Sequence, residues 1–133
     1  MTTEPNPSEL EVLKALWSSK RLSARELHDR IGDAQGWSYS TTRTVVQRMV
    51  DKGLVTKDSV HGLSVFAAAD RKVDLISRLV RSFTARVLEA DPSALPASAF
   101  AGSRLLDDAE RAELDALLKA GPSSGDTDKE AGQ

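Results

Sequence analysis

The sequence predicts a mainly α-helical protein: three short helices, a β-hairpin, and then a further helical region. Three observations predict it. Capping signals followed by apolar residues at helical spacing recur three times before residue 54. Two runs rich in valine and threonine meet at His61-Gly62, a tight turn signal. Beyond residue 70, apolar residues again recur at intervals of three and four. Hydrophobic residues make up 40% of the 133 and aromatics only 5%, so the core is expected to be mostly aliphatic.

Residues 1–7 are polar, hold two prolines, and are expected to be disordered. Ser8, with Glu11 three residues on, then reads as the capping box of a first helix. Leu10, Leu13, Leu16 and Trp17 supply its buried face, and "SSKRL" ends it. Ser23 and Glu26 form a second box, with Leu22 and Leu27 placed as a hydrophobic staple. Leu27 and Ile31 mark the buried face of this helix, Gly32 is expected to stop it, and "DAQG" to form a loop. Ser38 caps the third helix, Val45, Val46, Met49 and Val50 form its inward stripe, and Gly53 terminates it. "LVTKDSV" and "LSVFAAA" are the predicted strands of the hairpin. Helix, helix, helix, hairpin over residues 8–69 makes a winged helix-turn-helix, whose second and third helices grip a duplex.

Residues 70–120 read as a second, helical region. A helix is predicted over 71–89, with Val73, Ile76, Leu79, Val80, Phe83 and Val87 on its apolar face and Leu75 and Leu88 beside it. "ADPSALPASAFAG" interrupts with two prolines, though Leu95, Phe100, Leu105 and Leu106 suit buried contacts. Asp107 and Glu110 cap a last helix with Leu114, Leu117 and Leu118 on its apolar side and Gly121 at its end. The polar tail 121–133 is expected to be disordered. So few helical pieces make only a small core of their own. Packing Ile76, Leu79, Val80, Phe83, Val87, Leu114, Leu117 and Leu118 against a second copy would cover them in a twofold dimer. The alternative is that these faces fold back onto the first 69 residues.

Net charge is −2, but its distribution is uneven. From Ser38 to Lys57, Arg43, Arg48, Lys52 and Lys57 stand against Asp51, a balance of +3. From Asp107 to Asp115, five carboxylates stand against Arg111, a balance of −4. A local basic island can contact phosphates whatever the total. The absence of cysteine excludes disulfides, thiolate metal sites and cysteine nucleophiles. His28 and His61 lack metal-ligand spacing and are expected at the surface. No nucleophile elbow, phosphate loop or dinucleotide glycine pattern occurs, so neither an enzyme nor a cofactor is expected. The N-terminus has no signal-peptide pattern and no apolar run is long enough for a membrane span, so a soluble cytoplasmic protein with no membrane partner is expected.

On a helix of 100° per residue, Ser40, Arg43, Thr44, Gln47 and Arg48 lie largely opposite the valine and methionine stripe. Short hydroxyls allow close approach to a groove floor, Arg43 can address guanine and Gln47 adenine. Taken alone, this side is read equally well as an ordinary solvated face. The hairpin that follows, carrying Lys57 and His61, favours DNA recognition.

"ELEVLKALWSSKRLSARELHDRIGDAQGWSYSTTRTVVQRMVDKGLV" resembles the N-terminal half of the penicillinase-repressor family of bacterial winged-helix regulators. The matching features are Glu9-x-x-Val12-Leu13-x-x-Leu16-Trp17, the run Ser23 to Leu27, and W-S-Y-x-T-x-x-T-V-x-x-R-M-x-x-K-G-L from Trp37 to Leu54. The resemblance implies a homodimer, joined by its C-terminal helices, that binds a pseudo-palindromic operator and blocks transcription. Carried over by position, it puts Thr41, Arg43, Thr44 and Gln47 at base edges. Ser38, Tyr39, Ser40 and Arg48 then face phosphates, as do Arg25, Lys57 and His61, while Trp37 packs beneath the third helix. The sequence also departs from the family. Copper-responsive members carry paired C-terminal cysteines, absent here. β-Lactam-responsive members are cleaved at an Asn–Phe bond, where this chain has Ala99–Phe100 and its sole asparagine is Asn6. Pro92 and Pro96 suggest a shortened or displaced middle helix. The inducing signal, and any sensor or protease partner, therefore stay open. Two rival readings share the fold: a protein-interaction module without DNA affinity, and a DNA-binding activator.

Overall fold

The computed structural model describes residues 4–120. The chain divides into two compact units, Met1–Arg71 and Lys72–Gln133. It is mainly helical with a small three-stranded antiparallel sheet, an arrangement compatible with a winged helix.

In the first unit, α1 runs Pro7–Ser19. Its cap is Asn6 rather than Ser8, and Glu9 rather than Glu11 closes the capping box. The Glu9 N–H donates to Asn6 Oδ1 at 2.8 Å, and the Asn6 N–H donates to Glu9 Oε1 at 3.0 Å. Pro7 explains the shift: it has no N–H to lose and its φ is preset for the first helical position. Glu11 pairs instead with Lys14 at 3.0 Å. Val12, Leu13 and Leu16 enter the core, while Leu10 and Trp17 are half-buried. The Trp17 indole N–H donates to the Asp70 carbonyl at 3.0 Å.

Leu22–Ser23 form a short strand, β1, and Ser23 caps α2 (Ala24–Leu27) through the expected box with Glu26. Gly32 does not stop this helix. The chain continues through a π-helical turn, His28–Gly32, into α3 (Asp33–Gln35). Gly32 keeps a right-handed helical backbone, with φ −57° and ψ −47°. Gly36, at φ 75°, makes the actual reversal, and the Trp37 N–H closes back on the Gly32 carbonyl at 2.8 Å.

Helix α4 spans Tyr39–Lys52, capped by Ser38 and ended by Gly53 as expected. Thr42, Val46 and Met49 form its fully buried line, with Val45 and Val50 half-buried beside it. Strands β2 (Val55–Val60) and β3 (Leu63–Ala68) pair antiparallel from Val55↔Ala68 to Val60↔Leu63. His61 and Gly62 both have positive φ, as a two-residue primed turn requires. β1 adds to the other edge of β3 through Leu22↔Phe66 and Ser23↔Val65. The core gathers α1, Leu22, Leu27, α4, Leu54, Val55 and Phe66.

In the second unit, α5 spans Lys72–Arg86, and the 3₁₀ turns Pro92–Ala94 and Ala97–Phe100 follow. Asp91 caps the first of these turns. The Ser93 N–H, then its hydroxyl, donate to Asp91 and hold its carboxyl below the usual range. Helix α6 (Asp108–Lys119) starts with the expected Asp107–Glu110 box. Val73, Leu106, Leu114 and Leu118 make a buried cluster, against which Ile76, Val80, Phe100 and Leu117 pack. Lys72 ties the unit together, donating to the Leu105 carbonyl at 2.8 Å and pairing with Glu110 at 3.0 Å. The expectations for residues 1–3, for Gly121 and for the tail lie outside the described residues. No helix among the described residues is long and apolar enough to cross a membrane.

Candidate nucleic-acid interface

The Ser38 cap sets the start of α4, and its register then sorts the side chains. Burying Thr42, Val46 and Met49 turns Ser40, Thr41, Arg43, Thr44, Gln47 and Arg48 outward, and all six are exposed. A cleft of ≈ 640 Å³ opens beside them, walled by α4, the start of α2 and the hairpin. Arg25, Tyr39, Ser40, Arg43, Thr44, Gln47, Arg48 and Lys57 line it. Ser38, Thr41 and His61 do not line it. The Ser38 hydroxyl is engaged locally, accepting the Thr41 N–H at 3.1 Å and lying 3.0 Å from the Thr41 hydroxyl.

Tyr39 organises the basic groups. Its half-buried ring carries the Arg25 guanidinium at 4.3 Å from the centroid and that of Arg43 at 5.9 Å. Such stacking holds a guanidinium's plane while leaving its edge donors open. Among the described residues, none of Arg25, Arg43, Arg48 and Lys57 has a carboxylate within ion-pair distance. Four cations without a carboxylate partner among the described residues give the cleft the charge to attract an anion or polyanion. Lys52, counted in the basic island by sequence, leaves it: its Nζ pairs at 2.6 Å with Glu9, which is only 4% exposed. Gln47 is engaged too, but loosely, donating to Asp51 at 3.3 Å on the exposed side of the helix.

The cleft also holds residues that sequence reasoning missed. Ser23, Ala24, Leu63, Ser64 and Phe66 join its walls. Leu63 is 58% exposed, an apolar side chain presented at the mouth of the hairpin. The sequence marks it as a strand residue, but its facing depends on how the hairpin docks. His28 is half-buried rather than a surface residue, because its Nδ1 meets Thr42 Oγ1 at 2.8 Å.

In the second unit, the residues proposed for dimerisation separate. Leu114 and Leu118, 0% and 1% exposed, are taken up by the unit's own core. Ile76, Val80 and Leu117 pack against that core and, like Leu79, are half-buried. Phe83 and Val87 are exposed, joined by Leu88.

The penicillinase repressor family matches residues 6–120. The methicillin resistance regulatory protein MecI of Staphylococcus aureus (strain N315) is 24% identical over 86 residues, 65% of this chain and 70% of MecI. MecI of Mammaliicoccus sciuri matches to the same extent. An uncharacterized 16.5 kDa protein from the ptsI 3′ region of Latilactobacillus sakei is 35% identical over 54 residues, 41% of this chain but only 37% of that protein's length. The class is that of bacterial transcription regulators of the repressor kind. Within it, the chain belongs to the penicillinase repressor family.

Proposed function

We propose that the protein is a sequence-specific DNA-binding repressor, acting as a homodimer on a pseudo-palindromic operator. The observation that carries this reading is the cleft beside α4, where exposed hydroxyls and the Gln47 amide adjoin four cations without ion-pair partners among the described residues. In this reading residues 8–69 form a winged helix-turn-helix and α4 enters the major groove. Arg43 reads guanine through two N–H donors. Gln47 leaves its long bond to Asp51 and reads adenine. Thr41 and Thr44 approach base edges, while Ser38, Tyr39, Ser40, Arg25 and Arg48 hold phosphates. Lys57 and His61 contact the flanking backbone from the hairpin.

Residues 70–120 form the dimerisation region, with Phe83, Val87 and Leu88 as the apolar surface that a second copy covers. Two α4 helices then reach half-sites about one DNA turn apart. Bound across a promoter, the dimer excludes polymerase. The rival of a protein-interaction module draws support from the net charge of −2. Selection of bound sites from random duplex DNA by the full chain separates the two. The repressor reading expects a pseudo-palindromic motif whose enrichment falls steeply with salt. No enriched motif at low salt would sink it.

A further inference from the structure

The DNA reading makes no use of the π turn or of His28, yet His28 meets Tyr39, which lines the cleft. Gly32 sits in ordinary right-handed helical geometry, so its backbone does not call for glycine. Glycine inside a helix is disfavoured relative to alanine. What calls for it is space. A Cβ at Gly32 would lie 2.1 Å from His28 Nδ1, 2.4 Å from Cε1 and 2.9 Å from Cγ. The imidazole occupies the room that the missing side chain leaves.

From there the ring reaches α4 twice. Its Nδ1 is 2.8 Å from Thr42 Oγ1, and Thr42 is fully buried. The Thr42 hydroxyl also lies 3.3 Å from the Ser38 carbonyl: donating there, its oxygen accepts from Nδ1–H, and in the other tautomer it donates to Nδ1. The ring also meets Tyr39 edge-to-face, centroids 5.7 Å apart at 72°. Tyr39 is the platform on which Arg25 and Arg43 stand. The imidazole thus touches both the first turn of α4 and the ring beside the two guanidinium groups.

We infer that His28 is a positioning residue of the DNA interface: seated against Gly32 and bonded to Thr42, it sets the placement of Tyr39 and hence of Arg25 and Arg43. This inference rests on the DNA-binding reading above. It predicts a specific non-additivity, because the contacts nearest a Cβ at position 32 all belong to the His28 ring.

The test compares wild type, His28→Ala, Gly32→Ala, the double variant and His28→Asn as full chains. Thermal unfolding checks folding, and selection from random DNA followed by titration reads affinity and motif. Gly32→Ala is expected to lower affinity for the selected operator roughly tenfold beside His28, a common size of coupling between touching residues. In the His28→Ala background the same change is expected to add no loss. His28→Ala should blur the motif at the position read by Arg43, and His28→Asn, whose amide can replace Nδ1 as either donor or acceptor to Thr42, should sharpen it again. Equal losses from Gly32→Ala in both backgrounds, or an unchanged motif from folded His28→Ala, overturn the inference while leaving DNA binding intact. Should Gly32→Ala fail to fold, the His28→Ala and His28→Asn motifs decide alone. A wild-type protein that enriches no site overturns the DNA reading and this inference with it.

Discussion

The two units treat their apolar and charged residues in opposite ways. In the unit ending at Arg71, α1, α2 and α4 bury Leu13, Leu16, Leu27 and Met49 almost completely. What it leaves outside is mainly charge, Arg25, Arg43, Arg48 and Lys57 around a cleft, with Leu63 as its one exposed large apolar side chain among the described residues. The unit beginning at Lys72 closes a smaller cluster around Leu114 and Leu118. It leaves Phe83, Val87 and Leu88 at 54%, 60% and 53% exposure near the end of α5. Helices α1 to α4 with a sheet have enough inward-facing positions to cover nearly all of the unit's large apolar residues, Leu63 excepted. Two helices and two 3₁₀ turns do not, since small units have more surface for their volume. Contiguous exposed apolar side chains of this kind mark interaction surfaces. The proposed function uses this contrast, giving recognition of a polyanion to one unit and self-association to the other.

The largest expected effect tests the weaker core. Leu114→Ala removes a fully buried side chain from a small cluster and should destabilise the second unit by about 2–5 kcal/mol. Denaturant titration should show it as an early unfolding step. A midpoint unchanged from wild type would mean that the cluster is not a core. Next, Arg43→Ala should cost operator affinity on the order of 1–3 kcal/mol and relax base choice at one position. Unaltered base preferences would remove Arg43 from direct readout. Lys57→Ala should act more weakly and on all sequences alike, lowering the salt slope of binding by about 1. A loss confined to particular sequences would contradict its phosphate role. Phe83→Asp should have the smallest effect on folding, within about 0.5 kcal/mol, as an exposed substitution. Yet it should shift the protein to monomer in sedimentation velocity. A dimer of undiminished strength would place the self-association surface elsewhere.

Much of the candidate site was legible because it depends on one helix. The Ser38 cap, the Gly53 stop and the 42/46/49 burial line together fix which side of α4 faces outward, and Arg43, Thr44 and Gln47 follow. Thr42 was legible in that spacing too, four residues before Val46, though a hydroxyl gives no hydrophobic signal. The helix start at Asn6 was misread because Ser8 and Glu11 offer a second box of equal form, and Pro7 breaks the tie. Gly32 was misread as a stop because the usual reason for glycine near a helix end is a positive φ. Here that conformation belongs to Gly36, and Gly32 serves the His28 ring. β1 was invisible, since two residues carry no alternation and gain strand character only by pairing with β3.

By itself the sequence determined what is settled within a few residues of chain. The Ser23–Glu26 and Asp107–Glu110 boxes, the His61-Gly62 turn and the apolar periods all act over neighbours two to four apart. Tertiary structure decided what depends on residues that meet from afar. It drew Lys52 out of the basic island to Glu9, 43 positions away, and His28 onto Thr42 across the turn before α4. It also divided the second unit's apolar residues, taking Leu114 and Leu118 inward and leaving Phe83 and Val87 outside. A period in the sequence marks the apolar face of a helix, but only the packing partner determines how much of that face is covered.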